Sequence, residues 1–557
     1  MKLKKSCLYF ALSLLVTGCA DAQGRKVATE ASRDPNASTV IAEIALERGD
    51  CRTAAETYAA AARKGDLAVA RRSSEVSLAC KHLPAAWDSV KRWRALAPTD
   101  SDAATIYATV ALKLYRLPEA KLALTTVFDN FNQDGERKLA ELSQLFLQEA
   151  DASATFAAVD GALEKETASP GALALVAELA LEAYDTKRAE ELIALALKQD
   201  PSSFEAHHVL VRAYVMKGDG AAAVNMAREI AKLDPKRGQF EVAETFISLD
   251  RLEEARLELE RLRSTDAEKG DIDRRLALLA YQGGDYDEAQ RRFAELATSD
   301  EATDASLLYL ADIAELDGDT DTALAGYKRL INSSLAIAAR TRAASILLEK
   351  KQRGDALAMI DDYISEHPER AFELNVTKAN LLADHGEIDT GLALLAAALD
   401  QHPQHPSLQY DRAVLLEKAG KVKDSVSALE SLLKERDSDP TLLNALGYTL
   451  ADHSLELSRA ENLIRKSLAI MPDNPAILDS MGWVRFKRGD AKGAIDYLKR
   501  SYQLAHDPEI AAHWAEALWK TGAQQEARAV LATALARHPD SETLKKTIAR
   551  LAPHEKA

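Results

Sequence analysis

The stretch Gly284-Asp285-Tyr286-Asp287-Glu288-Ala289 is followed 34 residues later by Gly318-Asp319-Thr320-Asp321-Thr322-Ala323. Both place an alanine five residues after the glycine of a Gly-Asp pair. The spacing returns at Gly49-Asp50…Ala54, Gly218-Asp219…Ala223, Gly489-Asp490…Ala494 and, without the aspartate, Gly522…Ala527. A proline twelve residues beyond the alanine follows at Ala223/Pro235 and Ala527/Pro539, and this step recurs at Ala86/Pro98, Ala158/Pro170, Ala189/Pro201, Ala356/Pro368 and Ala460/Pro472.

Each offset has a physical reason. Glycine accepts the left-handed dihedrals that stop one helix, and aspartate caps the next. The alanine sits where two helices cross, where a larger side chain would push them apart. Proline cannot continue a helix and marks the link to the next pair. In the unit beginning near Ser203, Leu210, Val211, Tyr214, Ala227 and Ile230 fall at helical spacing and are expected to face inward. A 34-residue period with these offsets is that of a tetratricopeptide repeat. The expected fold is all-α: a right-handed superhelical solenoid of roughly 14–15 helix pairs from about Asp34 to Leu551. The first four units are the least regular. Asp134–Lys138 reads as a small insertion, and the Asp452–Leu457 turn has one extra residue.

The N-terminus has a different character. Lys2, Lys4 and Lys5 precede an apolar run from Leu8 to Val16 that ends in Val16-Thr17-Gly18-Cys19. Basic, apolar and small-residue regions in this order make a secretory signal. A cysteine after a small residue also resembles the bacterial lipobox. That resemblance implies cleavage after Gly18, lipidation of Cys19 and, with Ala20 following, the outer membrane; the alternative is an ordinary signal with an unrelated cysteine. Ala20–Ser38 is polar and reads as a tether, a coil of about 18 residues spanning roughly 20–25 Å. The domain reading is residues 1–18 signal, 19–36 lipidated cysteine and tether, 37–170 irregular repeats, 171–540 regular solenoid and 541–557 capping helix and tail.

The formal charge of −16 becomes −19 once the three signal lysines are removed. Such acidity disfavours nucleic acid, which needs a basic footprint, and anionic lipid surfaces. It fits either a solvated exterior or a partner with a basic face. Two of the four cysteines, Cys51 and Cys80, remain beyond the signal. They fall at facing ends of adjacent antiparallel helices and read equally well as a disulfide or as two buried thiols.

No catalytic constellation emerges: the chain has no nucleophile elbow, no Walker loop and no His-Glu-x-x-His pair. Asp317, Asp319 and Asp321 imitate a calcium loop, but Thr322 and Lys328 stand where glycine and glutamate are required. His207 and His208 are adjacent and point in different directions on a helix. No enzyme, metal site or cofactor is expected. The recognition surface is instead expected on the first helix of each unit. There Asn444, Tyr448, Asp479, Trp483, Phe486, Glu516 and Trp519 fall at groove positions, with His208 and Arg212 as a second set. Tyr448, Trp483 and Trp519 read either as groove anchors or as packing against the next unit, whereas Trp514 reads as core.

Asn444-Ala445-Leu446-Gly447-Tyr448, Ala476-Ile477-Leu478-Asp479-Ser480-Met481-Gly482-Trp483-Val484 and Ala511-Ala512-His513-Trp514-Ala515-Glu516-Ala517-Leu518-Trp519 resemble the closing repeats of the LbcA-type lipoproteins. These proteobacterial outer-membrane proteins share the layout of lipobox, tether and repeats, and the resemblance is most specific over the last hundred or so residues. It implies a periplasmic adaptor that binds a carboxyl-terminal processing serine protease and delivers peptidoglycan hydrolases to it, analogous to the smaller lipoprotein NlpI. Alternatives are a repeat lipoprotein of exopolysaccharide or pilus export or of outer-membrane assembly, or a glycan-binding module.

Overall fold

The computed structural model describes residues 35–129, 135–164, 168–264, 269–298, 303–539 and 541–551. The signal, Gly18, Cys19 and the tether up to residue 34 lie outside the described residues. Among the described residues thirty-one α-helices follow one another from Pro35 to Leu551. Taken two by two in chain order they make fifteen successive pairs, with the terminal helix Glu542–Leu551 left over. No helix among the described residues is long and apolar enough to cross a membrane.

The turn chemistry explains the register. Gly284 and Gly318 adopt φ of 76° and 78°, and the following aspartates cap the next helix: Asp285 accepts the Glu288 N–H and Asp319 the Thr322 N–H, both at 3.1 Å. Asp319, one of the apparent calcium ligands, thus serves as a cap. Five units put a bulky residue into the same left-handed turn: Lys81, Tyr115, Tyr184, Asp250 and Lys351. These units lack the Gly-Asp signature and keep its geometry. The longer Asp452–Leu457 turn accommodates its extra residue with two left-handed residues, Ser454 and Glu456.

Packing follows from small residues at the crossings. Ala289, Ala323, Ala494 and Ala527 are fully buried, as Ala227 and Ile230 are in the unit beginning at Ser203. Leu210 is only half-buried there, and its neighbour Val209 turns inward with Val211. Gly482 marks a close approach: a Cβ on it would lie 2.5 Å from Leu498 Cγ of the paired helix. Within the stretch read as an insertion, Gly135–Lys138 form the first turn of helix Gly135–Glu149, with Glu136 in that turn, while Asp134 lies outside the described residues.

The chain divides into two compact units. The first comprises residues up to Phe131 together with Ala397–Gln409. In it Cys51, at the start of helix Cys51–Ala62, and Cys80, just past helix Leu67–Ala79, are joined by a disulfide with their Cα atoms 5.2 Å apart. The Arg52 guanidinium donates to the backbone oxygen and to Oδ1 of Asp400, each at 2.8 Å.

The second unit comprises Asn132–Ala396 and Tyr410–Ala557, and distant parts of it meet. Asp473, in the loop before helix Pro475–Lys487, donates its backbone N–H to Tyr184 O at 3.0 Å. Its carboxylate accepts the Thr186 N–H at 3.1 Å and bonds the Thr186 hydroxyl and Arg500. Asp250 and Arg537 form another pair of the same sequence separation, 287 residues.

Candidate functional site

Four helices, Pro406–Lys418, Pro440–Asp452, Pro475–Lys487 and Pro508–Lys520, are the first helices of the last four pairs. Three of them start from an aspartate or asparagine cap followed by proline: Asp439-Pro440, Asn474-Pro475 and Asp507-Pro508. Proline is tolerated there because the first helical N–H has no partner to lose. Along these helices runs a cavity of about 470 Å³. Its apolar lining includes Tyr410, Leu429, Ala445 and Ile510, and its acidic lining is Glu417, Asp479, Asp507 and Glu509.

Each carboxylate is positioned. Tyr448 donates its hydroxyl to Glu509 at 2.6 Å, and burial, then the Glu509 charge, pushes the Tyr448 phenol well above its ordinary range. Glu417 accepts from the Thr449 hydroxyl at 3.0 Å and pairs with His453 Nε2 at 3.1 Å. Asp479 and His513 are both buried, with both carboxylate oxygens 3.0 Å from His513 Nδ1. Burial alone would lower the imidazole's pKa; the Asp479 charge and hydrogen bond overcome it and leave His513 raised. Asn444 Oδ1 is buried without a hydrogen-bond partner.

Of the residues expected to line a groove, the cavity brings together Asn444, Tyr448 and Asp479. For Trp483 the packing alternative describes the surroundings of the ring. Its ring is 6 % exposed, stacks on His513 at 3.9 Å and on Phe486 at 5.2 Å, and its indole N–H donates to Asp452 at 3.0 Å. Partners from the preceding and following units thus hold it in the packing between repeats. Phe486 and Trp519 are partly buried: both pack on the terminal core cluster, and Arg528 lies over the Trp519 ring. Glu516 pairs with Arg550 of the terminal helix. Trp514 is buried against Tyr502, as expected for core.

The second set is also engaged within the fold. Arg212 donates to Glu178 at 2.7 Å and Glu182 at 2.6 Å, while His208 pairs with Glu241, which raises its pKa. One spacing recurs in three of the pairs. Glu178/Arg212, Asp479/His513 and Glu516/Arg550 are each 34 residues apart, so equivalent positions of consecutive repeats stand side by side and pair. Position counting missed Glu417, Asp507 and Glu509, which line the cavity from a helix end or an adjacent unit.

The fold is that of a tetratricopeptide-repeat protein, a class that binds other proteins. Two tetratricopeptide-repeat profiles match, one over residues 274–340 and 376–453 and the other over 485–551. The chain is homologous to TPR repeat-containing protein PA4667 of Pseudomonas aeruginosa, with 32% identity over 213 residues. That segment is 38% of this chain and 36% of the relative's length. Among solved structures it resembles the tetratricopeptide-repeat protein TTC0263 of Thermus thermophilus, at 23% identity and a TM-score of 0.30 over 32% of this chain and 98% of that one. It also resembles a chain of the APC/C hetero-tetramer Cut9-Hcn1, at 15% identity and a TM-score of 0.32 over 94% of this chain and 98% of that one.

Proposed function

We propose that this chain is a non-enzymatic scaffold, lipid-anchored through Cys19 and facing the periplasm, that binds a carboxyl-terminal processing serine protease and delivers peptidoglycan hydrolases to it. The observation that most supports a scaffold is the cavity along the last four repeats, whose lining is organised by Tyr448–Glu509 and Asp479–His513. It lies in the same closing repeats whose sequence resembles the protease-binding lipoproteins. The lipobox and the tether support the localisation. Holding protease and substrate on one chain raises the effective concentration of each for the other, so the scaffold needs no chemistry of its own. Burial of Trp483 weighs against the glycan-binding reading, because a ring stacked within the protein presents no face to a sugar.

The test is crosslinking of envelopes containing the full-length chain, followed by affinity capture and mass spectrometry. Joint recovery of a carboxyl-terminal processing protease and a cell-wall hydrolase is expected. Recovery of export or assembly components without a protease would overturn the adaptor reading.

A further inference from the structure

We infer that the cavity along the last four repeats takes an extended segment of a protein partner that presents a lysine or arginine side chain beside an apolar residue, rather than a C-terminal carboxylate. This rests on the scaffold reading above and names the chemistry of its partner.

Charge is the first ground. Glu417, Asp479, Asp507 and Glu509 line the cavity, and no lysine or arginine does. His513, when protonated, offsets Asp479 and faces Glu509 as well, and His453 adjoins Glu417, yet the four carboxylates outnumber these two imidazoles. A carboxylate occupant would therefore enter a field of its own sign, and like-charge juxtaposition costs several kcal/mol.

Hydrogen-bond inventory is the second ground. Helix N-termini ordinarily attract anions through free backbone N–H groups. At the Pro508 helix those donors are taken, since Asp507 accepts from the N–H groups of Glu509 and Ile510; at the Pro475 helix Asn474 accepts that of Ile477. The Tyr448 hydroxyl is given to Glu509. Two lining side chains hold a buried polar atom without a hydrogen-bond partner: Asn444 Oδ1, an acceptor, and Ser425 Oγ, which can accept or donate. A donor on the occupant would satisfy both atoms, as an ammonium, a guanidinium or the N–H groups of an extended backbone supply and a carboxylate does not. The apolar floor of Leu429, Ala445 and Ile510 suits an aliphatic neighbour of the cationic residue.

The test uses fluorescence anisotropy on the chain with all its repeats. The probe is a fluorescein-labelled, N-acetylated and C-amidated peptide of Ser-Gly flanks around Leu-Lys-Leu. One control replaces its lysine by glutamate, and another ends in a free carboxylate after leucine. The lysine peptide is expected to bind about tenfold or more tighter than either control, and to weaken as salt rises. The nearly isosteric pair Glu417→Gln and Glu509→Gln should reduce its affinity about tenfold, since an amide at residue 509 still accepts from Tyr448. Ala445→Phe should block the cavity without removing charge.

Equal binding of a control, no binding of the lysine peptide, or lysine binding untouched by both variants would overturn the inference. Envelope crosslinking with the double-glutamine chain separates the two levels. Unchanged partner recovery would remove this groove and leave the scaffold reading standing. Loss of all partners from the unmodified chain would remove the scaffold reading itself.

Discussion

Asp473 and Thr186 lie 287 residues apart, yet the Asp473 carboxylate accepts the Thr186 backbone N–H at 3.1 Å. Asp473 is 3 % exposed, and it also bonds Tyr184 O through its own N–H and pairs with Arg500. Every bond joins parts of one compact unit, so Asp473 holds that unit's first repeats to its last. Asp473→Ala leaves a backbone N–H and a hydroxyl without an acceptor and is expected to cost about 2–3 kcal/mol. Hydrogen exchange at Thr186 should rise while exchange in helix Glu241–Ser248 changes little. Unaltered protection of Thr186 would show that the contact does not form in solution.

The Asp479–His513 pair sets a pH dependence. Burial disfavours imidazolium, but Asp479, Glu509 and Glu516 face it and outweigh burial, so the folded pKa of His513 lies above its unfolded value. The pair's contribution is therefore complete below the unfolded histidine pKa of about 6.5 and is lost as pH rises through the folded pKa. Thermal unfolding of the closing repeats is expected at a higher Tm at low than at high pH across that window. Asp479→Asn should flatten the dependence and, by leaving His513 without its counter-charge, cost about 3 kcal/mol. Trp483 stacks on His513 and supplies a fluorescence readout. A dependence that survives Asp479→Asn would assign it elsewhere.

The bridge between Cys51 and Cys80 closes a segment of sequence separation 29. On the chain-entropy account such a closure stabilises by about 3–4 kcal/mol. Reduction, or Cys51→Ser with Cys80→Ser, should lower the stability of the first two helix pairs by about that amount. The closing repeats belong to another compact unit and should keep their own transition. Peptide-resolved hydrogen exchange over residues 51–82 measures the effect; equal protection with and without reductant would contradict it.

The register was legible in the sequence wherever glycine marked the turn, as at Gly284 and Gly318. It was obscured where Tyr184, Asp250 or Lys351 takes the same left-handed conformation, because bulky residues there carry no sequence signal. Helical phase placed Asn444, Tyr448 and Asp479 at the cavity. For Trp483 phase was insufficient: the ring's surroundings come from Asp452 one repeat before and His513 one repeat after. The Thr186–Asp473 contact has no local signature, since it depends on how small rotations between repeats accumulate over 287 residues.

Those bulky left-handed turns lead to a last expectation. Lys351 sits at φ 61° in the turn between helices Ala336–Glu349 and Arg353–Glu366, where Gly318 of the preceding repeat has φ 78°. Left-handed geometry costs a residue with a Cβ about 1–2 kcal/mol, and glycine escapes that cost at the expense of a larger entropy loss on folding. Lys351→Gly should therefore be neutral to stabilising, by up to about 1 kcal/mol. A Cβ placed on Gly318 meets no atom within 4 Å, so the cost of Gly318→Val is conformational rather than steric. It should destabilise by about 1–2 kcal/mol. Urea unfolding of the two variants measures both signs. Loss of stability in Lys351→Gly would mean that this side chain holds the turn through its own contacts.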